Sequence, residues 1–205
     1  MKNKEITKKA HNAIAGTYYE LYKDDVSNLK YFDAFLKSCK PKIIDLGCGM
    51  GHYSGYMAEQ GFNVTGVDFS ENMLKIAKKN YPKVKFIISD VCKLDSLMGE
   101  KFDAVVLTYV LQYLSKKEAS KLISNLKKSL NKNARMLLFV REGNSVVEEV
   151  EPINPEFKYE INEYSKDEII DLLAKNGWMV ELLEQKEEAY SPAPKTLIVI
   201  ANRKK

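Results

Sequence analysis

A single α/β domain, with a doubly wound and mostly parallel sheet covered by helices on both faces, is the fold that the sequence predicts. Three observations carry it. From Lys42 onward, segments with the two-residue hydrophobic period of strands alternate with segments of the 3.6-residue helical period. The runs Ala104-Val105-Val106-Leu107 and Met136-Leu137-Leu138-Phe139-Val140 are apolar on both faces, as strands buried between two helical layers are. The first strand also meets its helix through three closely spaced glycines, Gly47, Gly49 and Gly51.

The elements follow in order. Between Thr7 and about Cys39 apolar residues recur at helical spacing (Ala10, Ile14, Tyr18, Leu21; then Leu29, Phe32, Phe35, Leu36), which predicts one or two helices ended by Pro41. Lys42 to Leu46 is the first strand. A helix near Gly51 to Gln60, a strand Asn63 to Asp68, a helix Ser70 to Asn80 and a strand Lys83 to Ile88 complete a βαβαβ half. The second half brings a strand Phe102 to Leu107, a helix from about Ser115 to Leu130 and a strand Ala134 to Arg141. The pattern then lapses from Glu142 to Tyr164, around Pro152 and Pro155, which predicts a long, irregular, substrate-side loop. Ser165 caps a helix that ends at Asn176-Gly177. A strand Trp178 to Leu183, a loop through Ser191-Pro192-Ala193-Pro194 and a strand Thr196 to Ala201 predict a closing hairpin.

With 205 residues, 45% hydrophobic and 29% charged, the chain has the balance of one globular domain, not of a disordered or fibrous one. Its net charge of +4 comes from scattered lysine pairs such as Lys78-Lys79 and Lys127-Lys128, the pattern of solvated helix faces and not of a nucleic-acid groove. The charged segment Met1 to Ala10 lacks a signal-peptide core and no apolar run reaches membrane-spanning length, so a cytoplasmic location is expected. Cys39, Cys48 and Cys92 have neither pairing nor zinc-ligand spacing, so free thiols and no metal site are expected.

The glycine turn carries the chemistry. Without Cβ atoms, the run Asp45-Leu46-Gly47-Cys48-Gly49-Met50-Gly51 lets the backbone turn sharply and a ligand approach the following helix N-terminus. Asp68 ends the second strand beside it, where a carboxylate accepts two hydrogen bonds from a ribose diol. A nicotinamide dinucleotide enzyme shares these features, but its fingerprint requires Gly or Ala where this chain has His52.

From about Ile43 to Arg141 the chain resembles the class I S-adenosylmethionine-dependent methyltransferases, most specifically over Asp45 to Gly51. The resemblance implies a seven-stranded sheet with the last strand antiparallel and an N-terminal helical lid. It divides the chain into a lid (1–40), a cofactor-binding core (41–141), a substrate-side loop (142–164) and a C-terminal helix and hairpin (165–205). It also implies that Asp45, Gly47, Gly49 and Gly51 hold the methionine part of S-adenosylmethionine and Asp68 its ribose. Asp90, in Ser89-Asp90-Val91, would meet the adenine amino group, with the Val91 amide on the ring and Phe69 packed against it. Thr108 and Tyr109 open the turn after the fourth strand, which would face sulfonium and acceptor. That turn lacks an Asn/Asp-Pro-Pro-Tyr motif, which argues against methylation of a nucleic-acid base amine. Tyr18, in Ala15-Gly16-Thr17-Tyr18-Tyr19-Glu20, is the candidate lid residue.

The activity implied is direct in-line methyl transfer to a small-molecule acceptor, in which orientation supplies much of the rate and no triad is required. No catalytic residue is specified; a base, if used, would be Tyr109, His52 or an acidic residue between Glu142 and Tyr164. A methyltransferase acting on protein or RNA, a non-catalytic cofactor-binding module and a nicotinamide oxidoreductase stand as alternatives.

Overall fold

The computed structural model describes residues 2–93, 99–187 and 194–204. Ser191, Pro192 and Ala193 of the predicted closing loop lie outside them. In the order of the chain, helices α1 (Lys2–Tyr22) and α2 (Leu29–Leu36) precede strand β1 (Lys42–Leu46). There follow α3 (His52–Glu59), β2 (Asn63–Asp68), α4 (Glu71–Asn80), β3 (Lys85–Ile88), β4 (Phe102–Thr108) and α5 (Lys116–Asn125). The remainder is β5 (Leu130–Arg141), β6 (Val146–Val150), β7 (Lys158–Asn162), α6 (Lys166–Lys175), β8 (Trp178–Lys186) and β9 (Thr196–Arg203).

Seven strands form one sheet in the order β3-β2-β1-β4-β5-β9-β8. All run parallel except β9, which pairs antiparallel with both β5 and β8. Period-two alternation divides the core between the two faces. Ile44, Leu46, Val105 and Leu138 pack beneath α5 and α6 with Ala119, Leu122 and Leu173, while Ile43, Val64, Ala104 and Phe139 pack against Phe32, Phe35, Met57 and Leu74 of α2, α3 and α4. Ser70, Ser115 and Ser165 cap α4, α5 and α6, the last two in reciprocal capping boxes with Glu118 and Glu168. No helix among the described residues is long and apolar enough to cross a membrane.

Most element ends shift by a few residues from the sequence expectation, and two departures are larger. The helix predicted to reach Leu130 ends at Asn125, a single 3-10 turn covers Leu126–Lys128, and Leu130 already belongs to β5. Leu130 is drawn into the sheet by pairing with Phe102 before a register shift admits the polar 131–133 segment. Nor is 142–164 an irregular loop: β6 and β7 form an antiparallel hairpin, with Pro152 and Pro155 confined to its turn. Its strands are half-exposed and charged, so they carry little apolar periodicity, but Tyr159 and Ile161 are buried against Ala10 of α1.

The chain reverses its direction of travel across the sheet between β1 and β4, and the crevice lies at their C-terminal ends, where ligands bind in open α/β sheets. Over it runs α1. Asn12 receives the Ser70 hydroxyl and Asn72 amide and is met by the Asn72 side chain at the start of α4, while Asn3 exchanges hydrogen bonds with Glu160 of β7. The Tyr164 amide donates to the Arg141 carbonyl (3.0 Å), holding the hairpin against the end of β5.

Candidate functional site

The site is built on the turn between β1 and α3. Gly47, Gly49 and Gly51 have φ of 74°, 52° and 79°, a region where an L side chain is strained. The Gly47 and Cys48 amides both donate to the Val67 carbonyl (2.7 and 3.1 Å), tying the turn to β2. A Cβ at Gly47 would lie 2.4 Å from Val110 Cγ2, and one at Gly51 would lie 2.9 Å from both Ala77 Cβ and Phe86 Cζ; at Gly49 it would meet nothing within 4 Å. Gly49 therefore leaves open space, whereas Gly51 permits close packing of helix on strand.

Asp68 closes the turn from the side. Its carboxylate accepts from the Gly49 amide (2.9 Å) and the Ser70 amide (2.8 Å), so it anchors both the glycine turn and the start of α4. Burial raises its pKa, against the opposing effect of those amides.

A cavity of about 660 Å³, within the roughly 300–1,000 Å³ span of ligand pockets, opens above this turn. It is lined by Gly47, Gly49, Asp68 and Phe69, by Asp90 and Val91, and by Tyr18, His52, Thr108 and Tyr109. The structure thus gathers ten of the predicted residues around one space. Asp45 and Gly51 do not line it.

Asp45 lies beneath the turn, 1% exposed, with one oxygen accepting from the Ser54 hydroxyl (2.6 Å) and the other, Oδ1, without a partner. Burial pushes its carboxyl from 3.8 up to about 7; Ser54 opposes the shift and Asp68 adds to it. A proton bound more tightly in the folded than in the unfolded state stabilises fully below the ordinary carboxylate range, and that contribution is lost as pH rises to about 7. Urea unfolding at pH 5 and pH 8 is therefore expected to show Asp45→Asn gaining on the order of 2 kcal/mol relative to wild type at the higher pH. An equal difference at both pH values would refute the assignment.

At the far end, Asp90 accepts from the Cys92 amide (2.8 Å) and faces Lys4 Nζ at 3.5 Å, while Lys4 also reaches Glu118 at 3.2 Å. Phe69 and Val91 add apolar surface to the cavity that the Asp68 and Asp90 carboxylates share. His11 adds its ring, 6.3 Å from Phe69 and 5.5 Å from Tyr113, with Nδ1 donating to the Thr7 carbonyl (2.8 Å).

Tyr109 follows β4 with φ of 59°, the one positive value outside glycine among the described residues, and its amide donates to the Phe139 carbonyl (2.9 Å). Such a conformation persists only where its surroundings enforce it. His52 Nε2 donates to the Asp25 carbonyl (2.8 Å), which binds α3 to the segment after α1.

Sequence reasoning missed several walls. Met50, His11, Tyr22 and Arg141 line the cavity, and the hairpin contributes Glu149 and Glu151, two of the acidic residues between Glu142 and Tyr164 that the sequence offered only collectively as a base. No apolar alternation over 146–151 singled these two out, since Val-Val-Glu-Glu-Val-Glu puts valine and glutamate on both faces of a strand.

The family described as a methyltransferase domain matches residues 43–133. A putative methyltransferase, 235L, of Invertebrate iridescent virus 6 is 32% identical over 124 residues, 59% of this chain and 46% of its own length. A carboxy-S-adenosyl-L-methionine synthase of Trichodesmium erythraeum is 28% identical over 193 residues, 91% of this chain and 71% of its own. The chain spans about half the length of the curated relatives it matches, 46% for the first and 57% for a methyltransferase of Haemophilus influenzae. Among solved structures, the 1,6-didemethyltoxoflavin-N1-methyltransferase of Burkholderia thailandensis superposes with a TM-score of 0.76 at 17% identity, over 100% of this chain and 90% of that one. At that identity the likeness is one of fold.

Proposed function

As this chain belongs to the class I S-adenosylmethionine-dependent methyltransferase family, we propose that it binds S-adenosylmethionine in the crevice above the glycine turn and directs methyl transfer to a small-molecule acceptor. One observation carries the proposal: the carboxylates Asp68 and Asp90 and the apolar side chains Phe69 and Val91 line one cavity beside the Gly47 and Gly49 turn. Carboxylates and apolar surface in one space suit a ribose joined to an aromatic base.

When bound, the cofactor supplies a methyl group on a sulfonium whose leaving group is a neutral thioether. The chain's own residues do the rest. Asp68 accepts from the ribose diol while retaining its amide anchors, since a carboxylate has about four lone-pair sites for the two it uses here. Phe69 and Val91 pack on the base and Asp90 accepts from its amino group. Gly47 and Gly49 admit the methionine part, with Asp45 and Gly51 supporting the turn from below. Thr108 and Tyr109 align the acceptor, so that orientation contributes most of the rate.

Support for a small acceptor comes from α1, which bridges the cavity from α4 to the hairpin and would stand in the way of a macromolecular surface. In this reading residues 1–40, with the Tyr18 and Tyr22 rings tilted at 44° and their centroids 4.6 Å apart, are the lid, and 142–164 is the acceptor wall.

Titration calorimetry with S-adenosylhomocysteine and with NAD is expected to show binding of the first alone, because His52 stands where the dinucleotide fingerprint requires Gly or Ala. Tighter binding of NAD would overturn the proposal.

A further inference from the structure

Within the cavity read above as the methyl-transfer site, one buried carboxylate has no part in the proposed cofactor contacts. Glu151 is only 5% exposed and lines the cavity just beyond β6. Its oxygens accept from the Tyr159 hydroxyl (2.6 Å) and the Ile153 amide (3.1 Å). Among the described residues no cation pairs with it, whereas buried carboxylates are ordinarily matched by one.

The nearby cations are committed elsewhere. Arg141, also on the cavity wall, bonds Glu149 and, at 3.2 Å, Glu163. Lys116 goes to the Glu163 carbonyl and to Glu168, and Lys4 to Asp90 and Glu118. Arg141 is thus taken by Glu149 and Glu163 and leaves Glu151 unmatched, so this part of the cavity carries surplus negative charge. The rings of Tyr18, Tyr22 and Tyr113 line the same cavity, and Tyr113 packs edge-on against Tyr159, itself the donor to Glu151, at 5.6 Å. An electron-rich aromatic wall beside an unmatched carboxylate attracts a cation from two directions.

We propose that the acceptor carries an amine, held as its ammonium by Glu151 with Glu149 beside it, and that the tyrosines receive the body of the molecule. The assignment rests on the methyltransferase reading for the word acceptor, but the charge preference it states belongs to the pocket alone.

The test uses three probes with one ring and different headgroups: benzylamine, benzyl alcohol and benzoate, titrated into the full chain with and without saturating S-adenosylhomocysteine. Benzylamine is expected to bind roughly tenfold tighter than either of the others, the factor of one charge-assisted hydrogen bond. In Glu151→Gln, which keeps an acceptor for Tyr159, that preference is expected to fall to near parity while affinity for S-adenosylhomocysteine is unchanged. Equal or tighter binding of benzoate, no binding of benzylamine, or an undiminished preference in a folded Glu151→Gln would each overturn the proposal. Should that variant not fold, the order of the three probes on the wild-type protein decides. Failure of S-adenosylhomocysteine to bind counts instead against the cofactor site and leaves the probe order readable.

Discussion

Replacing Asp68 with alanine is expected to weaken S-adenosylhomocysteine binding by about 1.5–3 kcal/mol, roughly 10- to 150-fold, because charge-assisted bonds to the ribose are lost. The same carboxylate also holds the Gly49 amide at 2.9 Å and the Ser70 amide at 2.8 Å, so the substitution loosens the glycine turn as well. Asp68→Asn separates the two effects. It keeps one acceptor oxygen for a backbone amide but lacks the charge and the second acceptor that a diol requires. Calorimetry should therefore place Asp68→Asn between wild type and Asp68→Ala. An unchanged dissociation constant in a folded Asp68→Ala would mean that the carboxylate serves the turn alone.

Gly51→Ala is expected to lower stability by about 2–5 kcal/mol, from the penalty of a left-handed L residue together with overpacking. Its new methyl would meet Ala77 Cβ and Phe86 Cζ at 2.9 Å, and neither is the free end of a flexible chain. Gly49→Ala offers the contrast. At φ of 52° it carries the backbone strain, about 1–2 kcal/mol, but no clash, and its methyl stands in open space on the cavity floor. Urea unfolding should separate the two by midpoint, while calorimetry should show Gly49→Ala impairing S-adenosylhomocysteine binding out of proportion to its stability. A Gly51→Ala protein with the wild-type midpoint would show that the strand and helix can move apart at no cost, contrary to their close packing.

What could be read directly from the residues is what depends on near neighbours along the chain. The bounds of β1 at Lys42–Leu46 and β2 at Asn63–Asp68 follow from short apolar runs ended by turn chemistry. Three glycines in five positions demand a turn of positive φ, and a carboxylate at the end of the next parallel strand must come to lie beside it. The closing antiparallel strand was legible too, since two strands without an intervening helix can pair as a hairpin.

The tertiary structure alone decided the acceptor side. Residues 146–162 carry too little apolar contrast to declare themselves as strands, and become ordered by placing Tyr159 and Ile161 against Ala10, nearly the length of the chain away. Arg141, Glu149, Glu151, Tyr18 and His11 meet in one cavity although α1 lies far in sequence from β5 and the hairpin that follows it. Asp45, next to the most legible motif, proved to lie below the floor and not in the wall, because Ser54 of α3 holds it there. Strand periods and glycine turns are local properties of the backbone, written in consecutive residues; a binding wall is a convergence of side chains from separate elements, and its composition exists only once packing has brought them together.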